Sequence, residues 1–362
     1  MWTVGGKLAT SSLINYLPGN KTLSGYSHSV YFGKTSGKFN FNINEDLADD
    51  KFNSNDLGYF TNNNFLTHNL YAGYHWTKPT GWYNNIYFNF NATYIQRFKP
   101  MSYEAANVNV NANGQLKNLW HIGSLIGFEP EANNFYEPRV PGRVFRGWSD
   151  WFIDEWVQTN TSKKYWVYSE LLFISRSFFN SKRYSLSLNQ NYRFSPKFSV
   201  SYSLSLQPQT DNVGFADFEG NDIIFGRRDV QTVENILGFK YSFNDKMGFT
   251  IRARHYWSEV DYKQYFTLLP DGGLQNNTSY TGNANQNYNV FTVDAVYTWQ
   301  FAPGSFMNLV WKNNATTFDQ ATDKRYFKNF DNTLSSDQNN NLSIKIIYFL
   351  DYLDFKKWRK KR

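Results

Sequence analysis

Phe198-Ser199-Val200-Ser201-Tyr202-Ser203-Leu204-Ser205-Leu206 alternates an apolar residue with serine across nine positions without exception. Successive side chains of a strand point to opposite faces, so this segment has one wholly apolar face and one wholly hydroxylated face. Such a strand separates two solvents. About ten residues at a tilt near 45° cross a bilayer, and dyad alternation broken by turn residues is the signature of a transmembrane β-barrel.

The pattern recurs sixteen times, near 2–11, 26–34, 38–45, 65–77, 82–97, 103–111, 115–127, 150–160, 164–174, 183–194, 197–207, 231–243, 247–262, 289–301, 305–317 and 340–352. Every second connection is tight: 35–37, 78–81, Ala112-Asn113-Gly114, 161–163, 195–196, 244–246 and 302–304. Each carries residues suited to turns. The intervening connections are mostly long, near 46–64, 128–149, 208–230, 263–288 and 318–339. Short periplasmic turns and longer extracellular loops place both chain ends on the periplasmic side. The fold expected is therefore all-β: a transmembrane, antiparallel, up-and-down β-barrel of about 16 strands over residues 1–355. A basic periplasmic tail follows at 356–362. The strand near 340–352 is expected to pair with the strand near 2–11, since an open edge is costly in lipid. A soluble lectin-like sandwich is the competing fold, but it has no reason to alternate short and long connections.

Composition agrees with a two-solvent wall. Among 362 residues there are 33 Phe, 26 Tyr and 12 Trp, yet mean hydropathy is −0.60. Aromatic girdles outside and polar residues inside account for both values. No apolar run reaches the length of a membrane-spanning helix. Cysteine is absent, which excludes disulfides and thiolate chemistry. The five histidines, His28, His68, His75, His121 and His255, lack metal-binding spacing, and neither a metal nor another cofactor is expected. The formal charge of +7 owes much to Lys356, Lys357, Arg359, Lys360, Lys361 and Arg362. That run suits anionic headgroups rather than nucleic acid. The opening Met1–Gly6 has no secretory-signal pattern, although an outer-membrane protein is exported through one. The expectation is that this sequence is the C-terminal part of a longer chain.

Parity assigns the inner face. Phe291, Val293, Ala295, Tyr297 and Trp299 form a lipid face, leaving Asp294 inward. Leu237, Phe239, Tyr241 and Phe243 turn Glu234 and Lys240 inward; Phe249, Ile251 and Ala253 do the same for Arg252 and Arg254. A basic residue on the lipid face costs roughly 2–4 kcal/mol at midplane, so charges on the polar parity support this assignment.

Four places carry a family resemblance: Asn55-Asp56-Leu57-Gly58-Tyr59; Phe135-Tyr136-Glu137-Pro138-Arg139 followed by Gly142-Arg143-Val144-Phe145; Phe225-Gly226-Arg227-Arg228-Asp229-Val230 with Arg252–Ser258; and Gln300–Ser305 with Trp311-Lys312. In order and spacing the chain resembles the C-terminal barrel of the DUF5916 proteins of Bacteroidota, from about residue 5 to its end. The resemblance implies an outer-membrane barrel with no established activity. Family members typically carry a domain similar to family 9 carbohydrate-binding modules before the barrel, which is not in this sequence.

Two clusters are candidate ligand or lumen sites. Glu137, Arg139, Arg143 and Arg146 stand with Pro138, Pro141 and Gly142 in a long loop, as a constriction binding anionic or hydroxylated ligands or as a structural clamp. Arg227, Arg228, Arg252 and Arg254 form either an anion-selective ring or a ladder neutralised by Glu234 and Asp294. Carboxylates such as Asp150, Asp154 and Glu155 have no nucleophile or metal motif beside them, so no catalytic residue is named and no enzyme activity is expected. The leading function is binding or passage of a small polar solute, such as an oligosaccharide, through a loop-gated lumen. The alternatives are a non-transporting anchor or scaffold, with polysaccharide or other outer-membrane proteins as partners, and a membrane-bound glycan hydrolase.

Overall fold

In the computed structural model, residues 1–58 and 62–352 are described. Among the described residues the chain forms a 17-stranded antiparallel sheet. Its strands are β1 (Trp2–Leu17), β2 (Lys21–Lys34), β3 (Phe39–Ala48), β4 (Phe65–Trp76), β5 (Tyr83–Arg97), β6 (Ser102–Leu116), β7 (His121–Glu129), β10 (Asp150–Gln158), β11 (Tyr165–Arg176), β12 (Lys182–Arg193), β13 (Phe198–Glu219), β14 (Asp222–Asn244), β15 (Met247–Leu268), the short β16 (Leu274–Asn276), β17 (Gln286–Ala302), β18 (Ser305–Asp319) and β19 (Gln338–Ile347). A two-residue pair, β8 (Asn133–Asn134) and β9 (Phe145–Arg146), lies between β7 and β10, and the α-helix α1 (Tyr326–Leu334) precedes β19.

Each long strand pairs with the next, so the order is up-and-down throughout. Alternation and register together define two faces. Leu204 stands between Leu188 on β12 and Asn235 on β14, while Ser203 stands between Asn189 and Ile236. The apolar face continues through Ile126, Ile153, Phe173 and Tyr184. On the polar face asparagines bond across strands: Asn89 donates to Asn111 at 2.8 Å, Asn91 to Asn109 at 2.9 Å, and Asn107 to Glu129 at 2.7 Å. These amides satisfy one another in place of an apolar core. All the long connections lie at one end of the sheet, and every connection at the other end is short.

Four expectations need correction. Ala112-Asn113-Gly114 is not a turn but the end of β6, and the turn falls at 117–120. Asn113 extends the amide ladder to Asn111 at 3.1 Å. A Cβ on Gly114 would approach the Asn85 carbonyl to 2.5 Å, so close strand contact, not turn geometry, requires glycine there. Residues 12–25, left between the strands expected near 2–11 and 26–34, are mostly strand: β1 and β2 continue to a turn at Pro18-Gly19-Asn20, where Gly19 and Asn20 take positive φ. Residues 208–230 are likewise strand, extending β13 and β14 to a turn whose Gly220 has φ +59. Finally, among the described residues β19 pairs with β18 and β1 with β2, and the expected β19–β1 pairing is not formed. All ten residues of β19 are exposed. The basic run 356–362 lies outside the described residues.

Candidate functional site

The buried apolar cluster lies at the long-loop end of the sheet. Phe145 packs with Val213, Phe215, Ile223, Phe225, Phe266 and Leu268. Loop 130–149 carries Phe145 there, and it reaches both sides of the polar face to do so. On the β5–β6 side, the Arg97 guanidinium lies 5.0 Å from the Phe135 ring, and Asn133 donates to the Tyr103 carbonyl at 3.0 Å. On the β13–β15 side, Glu137 Oε1 accepts the Phe215 N–H at 2.8 Å, and Arg139 stacks 4.1 Å over the Phe215 ring. Arg143 donates to the carbonyls of Leu268 and Leu269 at 2.8 and 3.0 Å, and the Arg146 N–H reaches the Gly272 carbonyl at 2.9 Å. Burial and the neighbouring Glu104 carboxylate push the Tyr136 phenol upward within this loop.

The two candidate clusters are therefore separated by height. Glu137, Arg139, Arg143 and Arg228 meet at the loop end: Arg228 donates to Asn212 Oδ1, the Phe215 carbonyl and the Tyr262 hydroxyl. A Cβ on Gly214 would lie 2.4 Å from that guanidinium and 2.7 Å from Glu137 Oε1. Arg227 turns away to Asp211 at 3.7 Å and stacks near Phe179. Lower down, Arg254 bonds Glu234, Arg252 stands opposite Asp294, and Asp294 meets Lys312 at 3.6 Å. Arg254 is thus paired with an acid, whereas Asp294 pairs with Lys312 and only faces Arg252 across the strands.

Sequence reading did not anticipate a third constellation, on the apolar face. Below, β14, β15 and β17 present Phe239, Ile251 and Ala295; above, the same face presents Asn235, His255 and Asn289. Helix α1 covers this polar stretch. The Tyr326 hydroxyl meets Asn235 Nδ2 at 2.8 Å and His255 Nδ1 at 2.9 Å, while Asn287 Nδ2 donates to Asn329 Oδ1 at 2.9 Å. The Trp257 indole, 2% exposed, donates to Asn287 at 3.0 Å. The change from Ile and Ala to His and Asn along one parity was the available signal.

A family model described as "Domain of unknown function (DUF5916)" matches residues 1–359. The chain belongs to the DUF5916 family. No curated protein matches it. Among solved structures it is similar to a chain titled "Bacterial polysaccharide outer membrane secretin", at 12% identity and a TM-score of 0.34, over 94% of this chain and 95% of that one. Of the segments that carry the DUF5916 resemblance, Phe135–Phe145 and Phe225–Val230 converge on the loop-end cluster. Arg252–Ser258 spans the boundary between the ladder and the α1 constellation.

Proposed function

We propose that this DUF5916 chain is an outer-membrane β-barrel whose lumen binds or passes a small polar solute and is held shut by loop 130–149. The carrying observation is the span of that loop. It joins the ends of β5–β6 to those of β13–β15, although β7, β10, β11 and β12 intervene in the sheet order. A sheet so bridged curls around its polar face, leaving the apolar face for lipid. In a bilayer the edges β1 and β19 cannot remain unpaired, because no water satisfies their backbone groups. The amides and paired charges of the polar face suit hydroxylated solutes, and an oligosaccharide is the candidate class. The cap's attachment at several points also supports a second reading, a permanently closed anchor or scaffold.

Planar-bilayer conductance separates the two. Intact protein should be nearly silent, and replacing 131–146 with a short Gly/Ser linker should open steady channels while the sheet still folds. Large conductance in the intact protein would remove the cap's role. Silence in both would leave the scaffold.

A further inference from the structure

The apolar face has a groove of about 490 Å³ between β5 and β11. Ala112, Gly114, Ser124 and Ser169 form its floor, and they are small enough to leave a depression between the larger Ile122 and Leu171. Register places all six on the apolar face, in two adjacent rows: Ala112, Ser124, Glu155 and Leu171, then Gly114, Ile122, Val157 and Ser169. Glu155 thus sits on the face that would meet lipid. The Ser124 hydroxyl donates to its Oε1 at 2.6 Å. Among the described residues, none of the ion pairs within 4.0 Å involves this carboxylate, and no basic residue lines the groove.

A carboxylate on a lipid-facing surface is costly to leave unpaired, and a cation beside it offsets that cost. The height of the carboxylate says which cation. Glu155 lies three residues before β10 ends at Gln158, on the short-connection end. That is about 10 Å along the strand, or roughly 7 Å in depth at a tilt near 45°, where headgroups meet acyl chains. We propose that the groove binds a phospholipid with a primary-ammonium headgroup. The ammonium pairs with Glu155, and an acyl chain lies over Ala112 and Gly114 against Ile122 and Leu171. The proposal rests on the membrane reading above.

The test uses the whole chain reconstituted in vesicles of phosphatidylethanolamine, phosphatidylcholine and phosphatidylglycerol in equal parts, then extracted in mild detergent for quantification of retained lipid. Phosphatidylethanolamine should be enriched over phosphatidylcholine roughly tenfold, the ratio expected when a charge-assisted N–H bond to the carboxylate is gained that a quaternary ammonium cannot make. Glu155→Gln should abolish the enrichment, and Ala112→Leu, which fills the floor but keeps the carboxylate, should lower total retained lipid. Equal retention of the three lipids by correctly inserted wild-type protein would overturn the site alone, leaving Glu155 to a basic side chain of a protein partner. Failure to insert into vesicles, read by protease accessibility of the strands, would overturn the membrane reading and the site together.

Discussion

Glu137 and Phe215 are 78 residues apart in sequence, yet the Glu137 carboxylate accepts the Phe215 backbone N–H at 2.8 Å. Phe215 itself carries the Arg139 guanidinium on its ring. One loop thereby holds one long hairpin by both a hydrogen bond and a stacking contact.

Glu137→Ala should loosen this attachment. A hydrogen bond to a charged group contributes about 1.5–3 kcal/mol, and its loss leaves Arg228 without its acidic neighbour beside Gly214. Hydrogen exchange at the Phe215 amide should accelerate about tenfold to a hundredfold, from the same energies. Unchanged exchange would mean that Phe145 and Arg143 hold the cap without Glu137.

Gly214→Ala should reproduce that phenotype from the other side, because the added Cβ meets both Arg228 and Glu137 Oε1 at less than 3.0 Å. Protease nicking within 130–149 would report it. An intact, equally resistant loop would show that the hairpin shifts to admit the methyl.

Glu234→Gln removes the partner of Arg254, which then keeps its place near the Tyr256 ring. Both side chains are partly exposed, so stability should change by no more than about 1 kcal/mol. With the cap replaced by a linker, however, the channel should shift towards anions, measured as a reversal potential in a salt gradient. No shift would place the ladder outside the ion path.

Tyr326→Phe deletes the hydroxyl shared by Asn235 and His255, at the start of a helix that is also anchored by Asn329 on Asn287 and Thr333 on Thr317. The loss should be about 1–3 kcal/mol, the cost of leaving partly buried partners unsatisfied. Thermal melts by circular dichroism would record it, and an unchanged midpoint would mean that water replaces the hydroxyl.

The start of α1 should also resist acid. Arg325 and Lys328 hold the Asp323 carboxyl well below the usual carboxylate range, at 2.7 and 2.9 Å. Its folded pKa is depressed, so the contribution is present above the unfolded value near 3.9. It is lost only as pH falls through the lower folded value. Titration of Asp323 by NMR should therefore show a midpoint below 3.9, and a midpoint at or above it would mean that the pairs do not persist in solution.

Strand number, strand parity and the end that bears long connections were legible because each depends on local sequence. The Ser/Leu alternation at 198–206 fixes two faces wherever the strand lies, since a one-residue slip exchanges every side chain. The same logic sets Arg252 and Arg254 on the face opposite Phe249 and Ile251, and the register puts Asp294 across from Arg252 while Glu234 bonds Arg254. It failed where chemistry changes sense within one strand. Gly114 looked like a turn because a glycine required by a neighbouring carbonyl cannot be told from one required by positive φ. Residues 208–230 looked like a loop because their apolar residues are buried on both sides by other segments, which erases the alternation. Which segments those are, and that Phe145 reaches Phe225 while Tyr326 reaches His255, are decided by the curvature of the sheet and the reach of two long loops. Such contacts join residues distant in sequence, and no local periodicity encodes them.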